Sequence, residues 1–403
     1  MASSEVRLNT SLRAIPLAET LVNARTLAAR LGVSRVCEIT RLDTIGVPVF
    51  ASIRPDAKFI CVNAGKGLVP AEAQAGAFME AIEFALAEPG ASPLKAVTTT
   101  IGAINGGRPF TLLCPILGAE PAVDTPIEAI EATDLVSGET LLVPAELVWM
   151  PYTGTYFACN SNGLASGNTV DEAVVHGLCE VIERDIRSFQ YLTDTSRLVA
   201  PSSLPAAAAQ IATKIERAGL TLFLRSQPNE LEMPYFEAAI MDPDVSHTVL
   251  ASFGWGCHPI VEVALMRALT EAVQSRGSFI HGGRDDLTAA YDMMRSWSDV
   301  RRRSYYDDLA AKVGRSDTVI SVGEIAGIEI TSIAHARATL VARLREHGFD
   351  QVLVVPYTDP SSALQILRVI VPGLEFYTEG ARRVGPRLRR ARDAKLQASA
   401  RAT

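Results

Sequence analysis

No two of the six cysteines in this 403-residue chain stand at CxxC spacing: Cys37, Cys61, Cys114, Cys159, Cys179 and Cys257 are scattered singly. That gives no zinc-ribbon or redox signature and no disulfide framework, and it fits a reduced, cytoplasmic compartment. Long apolar runs are missing as well. The longest falls short of a membrane span, and the opening MASSEVRLNTSLRAIPL lacks the apolar centre of a signal peptide. Positive charge is in the minority, with 38 Lys and Arg against 45 Asp and Glu, so no nucleic-acid partner is expected. Familiar chemistries are absent by motif. No GxxxxGK followed by Ser or Thr occurs, so the GKG at 65–67 is not a Walker phosphate loop, and no GxGxxG, GxSxG or HExxH is found.

What the chain does have is a Gly/Asn/Ser-rich turn feeding a long amphipathic helix, NSNGLASGNTVDEAVVHGLCEVIERDIRSF, at 160–189. The pattern predicts a helix start near 169–171, with Asn168 or Thr169 as cap and Asp171 and Glu172 in the first turn. At about 100° per residue, Val174, Leu178, Val181 and Ile182 share one face, and Glu172, His176, Glu180, Glu183 and Arg187 share the opposite stripe. Taken alone, that stripe reads as a solvated face, with Arg184 and Arg187 supplying the opposite charge. His176 reads as a hydrogen-bonding surface histidine, and Cys257 beside His258 is not in itself a nucleophile–base pair.

The pattern recurs. Upstream, NAGKGLVPAEAQAGAFMEAIEFALAE at 63–88 again runs from a Gly-rich turn into a helix. Ala75, Phe78, Met79, Ile82 and Leu86 form its buried face, while Glu80 and Glu83 sit opposite among Ala73, Gly76, Ala77 and Ala87. Such small residues imply that something covers this face closely. Downstream, GWGCHPIVEVALMRALTEAVQSRGSF at 254–279 buries Leu265, Met266, Leu269 and Val273 and lines its other face with Arg267, Glu271, Gln274 and Ser278. Glu80, Glu180 and Glu271 recur roughly 90–100 residues apart, too far for a solenoid. The expectation is a mixed α/β (α+β) fold in which three strand–turn–helix units converge on one acidic site.

The rest of the chain frames these units. Residues 1–13 read as a loose lead-in and 15–31 as a helix stopped by Gly32. Strands are expected at 35–42, 47–53 (an edge strand, given Pro48), 59–62, 140–143, 147–150, 220–224, 235–241, 248–253, 351–355 and 367–371. Helices are expected at 205–218 and 333–347, a loop at 89–110, and a charged, partly helical stretch at 284–317. From Gly380 the chain reads as a solvated, non-periodic basic tail. The expected divisions are 1–32, a main domain over 33–379, and the tail at 380–403.

Glutamates, glutamine, lysine and arginine on several helices suit a triphosphate held through Mg²⁺, which takes hard oxygen ligands and bridges carboxylates to phosphates. At these residues the sequence resembles the YcaO family of ATP-dependent enzymes that modify peptide backbones. The carriers are GKG with the following ExxE, the block NGLASGNTVDEAVVHGLCEVIERD, and RALTEAVQSR, within a resemblance spanning about 41–375. The resemblance implies ATP and Mg²⁺ as cofactors. It implies Glu80, Glu83, Glu180 and Glu183 as metal and phosphate ligands, and Lys66, Asn168, Glu172, Arg184, Glu271, Gln274 and Arg276 as nucleotide contacts. Glu183 and Arg184 would then carry catalysis. One departure stands out: Gly76 takes a position where the family often has serine.

The implied chemistry is phosphorylation of a peptide amide oxygen after a nucleophile adds to its carbonyl carbon, leaving a thioamide, an azoline or an amidine. The sequence IVPGLEFYTEG at 370–380 runs into Arg-rich residues with no Pro-rich PxPxP end. With RLDTIGVPVF at 41–50, this is similar to the TfuA-associated branch linked to thioamide formation. That branch implies a peptide or protein substrate and leaves room for a TfuA-like partner, a sulfur donor and a homodimer. The alternatives are an azoline-forming cyclodehydratase and a non-catalytic nucleotide-binding scaffold.

Overall fold

The computed structural model describes residues 6–7, 10–247 and 249–402. The lead-in reading falls partly outside these residues, at 1–5 and 8–9, as does Thr248 at the head of one expected strand. Where the lead-in is described it is a small hairpin, Val6–Arg7 pairing antiparallel with Leu12–Arg13.

Three strand–helix units stand out. Strand β1 (Val62–Lys66) leads into helix α1 (Pro70–Leu86), β2 (Leu164–Gly167) into α2 (Val170–Leu192), and β3 (Ala251–Cys257) into α3 (Val261–His281). Each strand lies at one end of its own sheet. The chain divides into two compact units, one of residues 1–82 and 196–331, the other of 83–195 and 332–403. The division falls inside α1, between Ile82 and Glu83.

In the first unit, β1 pairs with the strand Val49–Ile53, which also pairs with Arg35–Glu38. Val49–Ile53 is therefore central rather than an edge; Pro48 stands one residue before it and takes no ladder position, so its missing N–H does no harm. A second sheet runs β3, Tyr235–Met241, Thr221–Ser226, Arg197–Val199 and Val319–Ile320, antiparallel except for the last, parallel pair. Helix α3 lies on this sheet. Leu265 and Leu269 are fully buried there with Phe236, Ile240 and Ile215 of the helix Ala206–Arg217.

In the second unit, the sheet order is Val97–Thr100, Pro126–Asp134, Leu353–Pro356, Gln365–Ile370 and β2, with Thr140–Pro144 also paired to Pro126–Asp134. The segment expected as a strand at 147–150 instead includes the end of the 3₁₀ turn Ala145–Leu147. Helix α2 begins as expected, with Thr169 Oγ1 accepting the Glu172 N–H at 3.2 Å. The basic tail is a helix, Pro386–Ala402, and its first turn is tied down: Glu375 accepts the N–H groups of Gly385, Arg387 and Leu388. Arg387 Nη1 donates to Asp185 Oδ1 at 2.6 Å. A carboxylate on three orphan donors at a helix start explains why this end is docked rather than frayed.

The three units share one packing device. A Cβ on Gly65 would lie 2.1 Å from Ala73 O and Ala77 N, so β1 crosses α1 backbone to backbone. A Cβ on Gly167 would lie 2.6 Å from Ala173 N, and one on Gly254 would lie 2.2 Å from Ala272 N. The small residues of α1 are thus covered by its own preceding strand. Such closeness lets a glutamate on the helix reach a backbone N–H on the strand.

Candidate functional site

In the first unit, that reach occurs twice at the same spacing of 16 residues. Glu80 Oε2 accepts the Ala64 N–H at 2.8 Å, and Glu271 Oε1 accepts the Trp255 N–H at 3.4 Å. Helix α3 also returns to β1, Gln274 Nε2 donating to Ala64 O at 2.7 Å. Lys66 ends β1 and gives its ammonium to Glu271 Oε2 at 2.6 Å, both side chains 24 % exposed. Lys66, Glu80, Glu271 and Gln274 therefore form one connected polar group.

Withdrawal from water pushes the Glu80 carboxyl above the ordinary carboxylate range. Arg284, the Ala64 N–H and Lys66 pull the other way, while Glu271 adds to the rise. Arg284 was not singled out by the sequence. It follows the α3 stop at Gly282 (φ +69°) and pairs with Asp286 at 2.7 Å. A carboxylate held raised is stabilised in its neutral form. Its share of stability is full below the unfolded pKa and is lost as pH rises through the folded one. Glu80→Gln should therefore melt at or above wild type without nucleotide, by a larger margin at pH 8 than at pH 5. Thermal scans at both pH values check this.

Arg276 is spent elsewhere. It is 6 % exposed, and its Nε and Nη2 donate to Asp43 Oδ1 (3.2 Å) and Asp242 Oδ2 (3.0 Å), Nη1 to Val249 O (3.1 Å). Removing one member of a buried ion group strands the others, so Arg276→Met should lower stability by about 3–5 kcal/mol. Urea unfolding reads that loss; an unchanged midpoint would release Arg276 for another role.

In the second unit, the stripe on α2 is not a solvated face. Glu172 and Glu183 are each 5 % exposed, and Glu180 is half-buried. Asn168 Nδ2 donates to both Glu172 oxygens at 3.1 and 3.0 Å. Arg184 Nη1 lies 3.5 Å from Glu183 Oε1. Glu83, 8 % exposed, accepts a hydrogen bond from Ser166 Oγ of β2. His176 is half-buried, and in the first unit His258 uses Nδ1 to accept the Ile260 N–H at 3.0 Å. Among the described residues no group of three or more His, Cys, Asp or Glu is gathered for a metal ion, and no helix is long and apolar enough to cross a membrane. The donor set itself is carboxylate and amide oxygen with Lys and Arg, which suits Mg²⁺ and phosphate rather than a soft metal.

Known proteins agree with this chemistry. The family model described as YcaO cyclodehydratase, ATP- and Mg²⁺-binding, matches residues 64–375. An uncharacterized protein of the tfuA 3′ region of Rhizobium leguminosarum bv. trifolii is 33 % identical over 91 % of this chain and 90 % of its own length. An uncharacterized protein of Methanothermobacter thermautotrophicus is 32 % identical over 94 % of this chain and 98 % of its own length. Among solved structures, YcaO from Methanopyrus kandleri bound with AMPPCP and Mg²⁺ superposes with a TM-score of 0.74 at 23 % identity, covering 95 % of this chain and 98 % of that one. A heterocyclase in complex with substrate and cofactor superposes with a TM-score of 0.77 at 19 % identity, over 96 % of this chain and 56 % of that one. The chain belongs to the YcaO family, ATP- and Mg²⁺-binding cyclodehydratases by the description of the family model, and has its mixed α/β fold.

Proposed function

We propose that this protein uses ATP and Mg²⁺ to activate a backbone amide of a peptide or protein and that the product is a thioamide. The observation that carries the thioamide reading is the match, along nine-tenths of both chains, to the protein of the tfuA 3′ region. A TfuA-like partner and a sulfur donor belong to this reading.

Glu80, Glu83, Glu180 and Glu183 are the proposed metal and phosphate ligands, with Lys66, Asn168, Glu172, Arg184, Glu271 and Gln274 as nucleotide contacts. ATP with its metal supplies the phosphoryl group that turns the amide oxygen into a leaving group. The chain's own residues bind and orient. Lys66, held by Glu271, is a cation that triphosphate oxygens can compete for. Asn168 fixes the Glu172 carboxylate, which keeps that acceptor in one direction. Arg184 beside Glu183 can meet negative charge as it grows on the oxygen being activated.

Co-expression with neighbouring genes, followed by mass analysis of peptides, tests the reading. Thioamide formation adds about 16 Da and azoline formation removes about 18 Da, because the attacking group differs while the activation is shared. A loss near 18 Da would replace the thioamide reading with the cyclodehydratase one. No mass change with any neighbour would favour a scaffold.

A further inference from the structure

A polar cavity lies in the second unit, away from the carboxylate stripe of α2. It has a volume of about 40 Å³, and its lining includes Asn160, Asn162, Arg368 and Arg383 but no Asp or Glu among the described residues. One water-sized occupant needs roughly 10–15 Å³, so there is room for a small guest.

The two arginines are buried, at 1 % and 5 % exposure. Arg368 donates from Nε to the Tyr357 hydroxyl (3.1 Å) and from Nη1 to Asn160 O (2.8 Å) and Asn162 O (3.0 Å), but its Nη2 has no partner. Arg383 donates from Nε to Cys114 O (2.7 Å) and from Nη2 to Leu113 O (2.8 Å), with Phe376 and Phe157 against its guanidinium. Among the described residues neither forms an ion pair. Burial pulls the Arg383 pKa down to about 10; Cys114 and Glu146 oppose the shift, and the Arg368 charge adds to it.

Nearby carboxylates make their hydrogen bonds elsewhere, although the Glu146 charge still acts on Arg383. Glu146 accepts the N–H groups of Thr155, Tyr156 and Phe157. Asp185 holds Arg387, and Glu375 caps the C-terminal helix. Two desolvated guanidinium groups line one cavity, and their hydrogen-bond partners there are neutral carbonyls and a hydroxyl; Glu146 acts on Arg383 from outside the lining, so a negative charge inside the cavity would be stabilised. Asn162 Oδ1 also lacks a partner, and turning that amide over would present its NH₂ to the same space.

We propose that this cavity holds a small monovalent inorganic anion of chloride type, bound by Arg368 and Arg383. The anion would fix Arg368, and Arg368 clamps the two carbonyls of the turn that feeds β2 and α2. Its effect on the proposed chemistry would be indirect, through that turn.

Crystals of the wild-type protein grown in bromide decide the matter. The expected result is an anomalous peak at hydrogen-bonding distance from Arg368 Nη2. Well-ordered water there without anomalous signal would overturn the proposal. Thermal scans in sodium chloride and sodium gluconate at matched ionic strength give a second reading. Wild type should gain a few degrees, saturably, in chloride, and Arg368→Met should lose that gain. Equal wild-type midpoints in both salts across the titration would count against the site. If Arg368→Met does not fold, the wild-type crystal and salt titration still decide.

Discussion

Glu183→Gln should lower ATP-dependent peptide modification by orders of magnitude while leaving the fold intact. Glu183 is 5 % exposed and sits on the stripe of α2 opposite Val174, Leu178, Val181 and Ile182. Glutamine keeps the size and an accepting oxygen but loses the charge that would hold Mg²⁺. Misplaced metal loses both phosphate alignment and charge stabilisation. Without ligands the variant should melt close to wild type, because a neutral amide is cheaper to bury than a carboxylate. Leu178→Ala is the contrasting control. Leu178 is fully buried, so its truncation should cost about 2–5 kcal/mol through a cavity and lower activity only by unfolding. Melts paired with single-turnover assays separate the two. An early-melting Glu183→Gln, or one with near-normal turnover, would end the metal-ligand assignment on α2.

Chelating divalent metal should weaken ATP binding by orders of magnitude. The proposed ligands are four glutamates, and Glu271 adds a fifth that already occupies Lys66. Glu80 shows the problem directly: its carboxylate is held raised by burial even with Arg284 and Lys66 near it. A triphosphate would add negative charge, and only a divalent cation relieves both groups. Calorimetry with Mg²⁺ and with chelator reads the difference. Equal affinity in the two would mean that ATP binds without the carboxylates.

Much of this site was legible because its helices carry local signals. The cap at Thr169 and the buried face of α2 follow from residues within one or two turns. Ala73, Gly76 and Ala77 correctly announced a covered face on α1, and Gly65 shows that β1 is the cover. The same glycine misled the strand reading. NAGKG looks like a turn, yet Val62–Lys66 is extended, and Gly65 is there because a side chain would strike α1. The spacing of 16 residues from Ala64 to Glu80 and from Trp255 to Glu271 was present in the sequence and could have been counted.

Other features depend on distant partners. Arg284 lay in a segment read only as charged, and its link to Glu80 needs the return of the chain after α3. Arg276 looked like a nucleotide contact by motif, whereas Asp43 and Asp242, far off in sequence, take its guanidinium. The C-terminal helix looked like a solvated tail because its cap, Glu375, stands eleven residues before Pro386 and acts through packing rather than local pattern.

The most direct test of the central claim follows the amide oxygen. The substrate peptide, once identified by its mass change, can be made with ¹⁸O at the modified carbonyl and turned over with ATP and Mg²⁺. If the oxygen is phosphorylated and leaves, each modified amide delivers one ¹⁸O to inorganic phosphate. The account expects that label in phosphate, in step with product. Unlabelled phosphate alongside modified peptide would contradict it, because the amide oxygen would then have left by a route other than transfer of the γ-phosphoryl group.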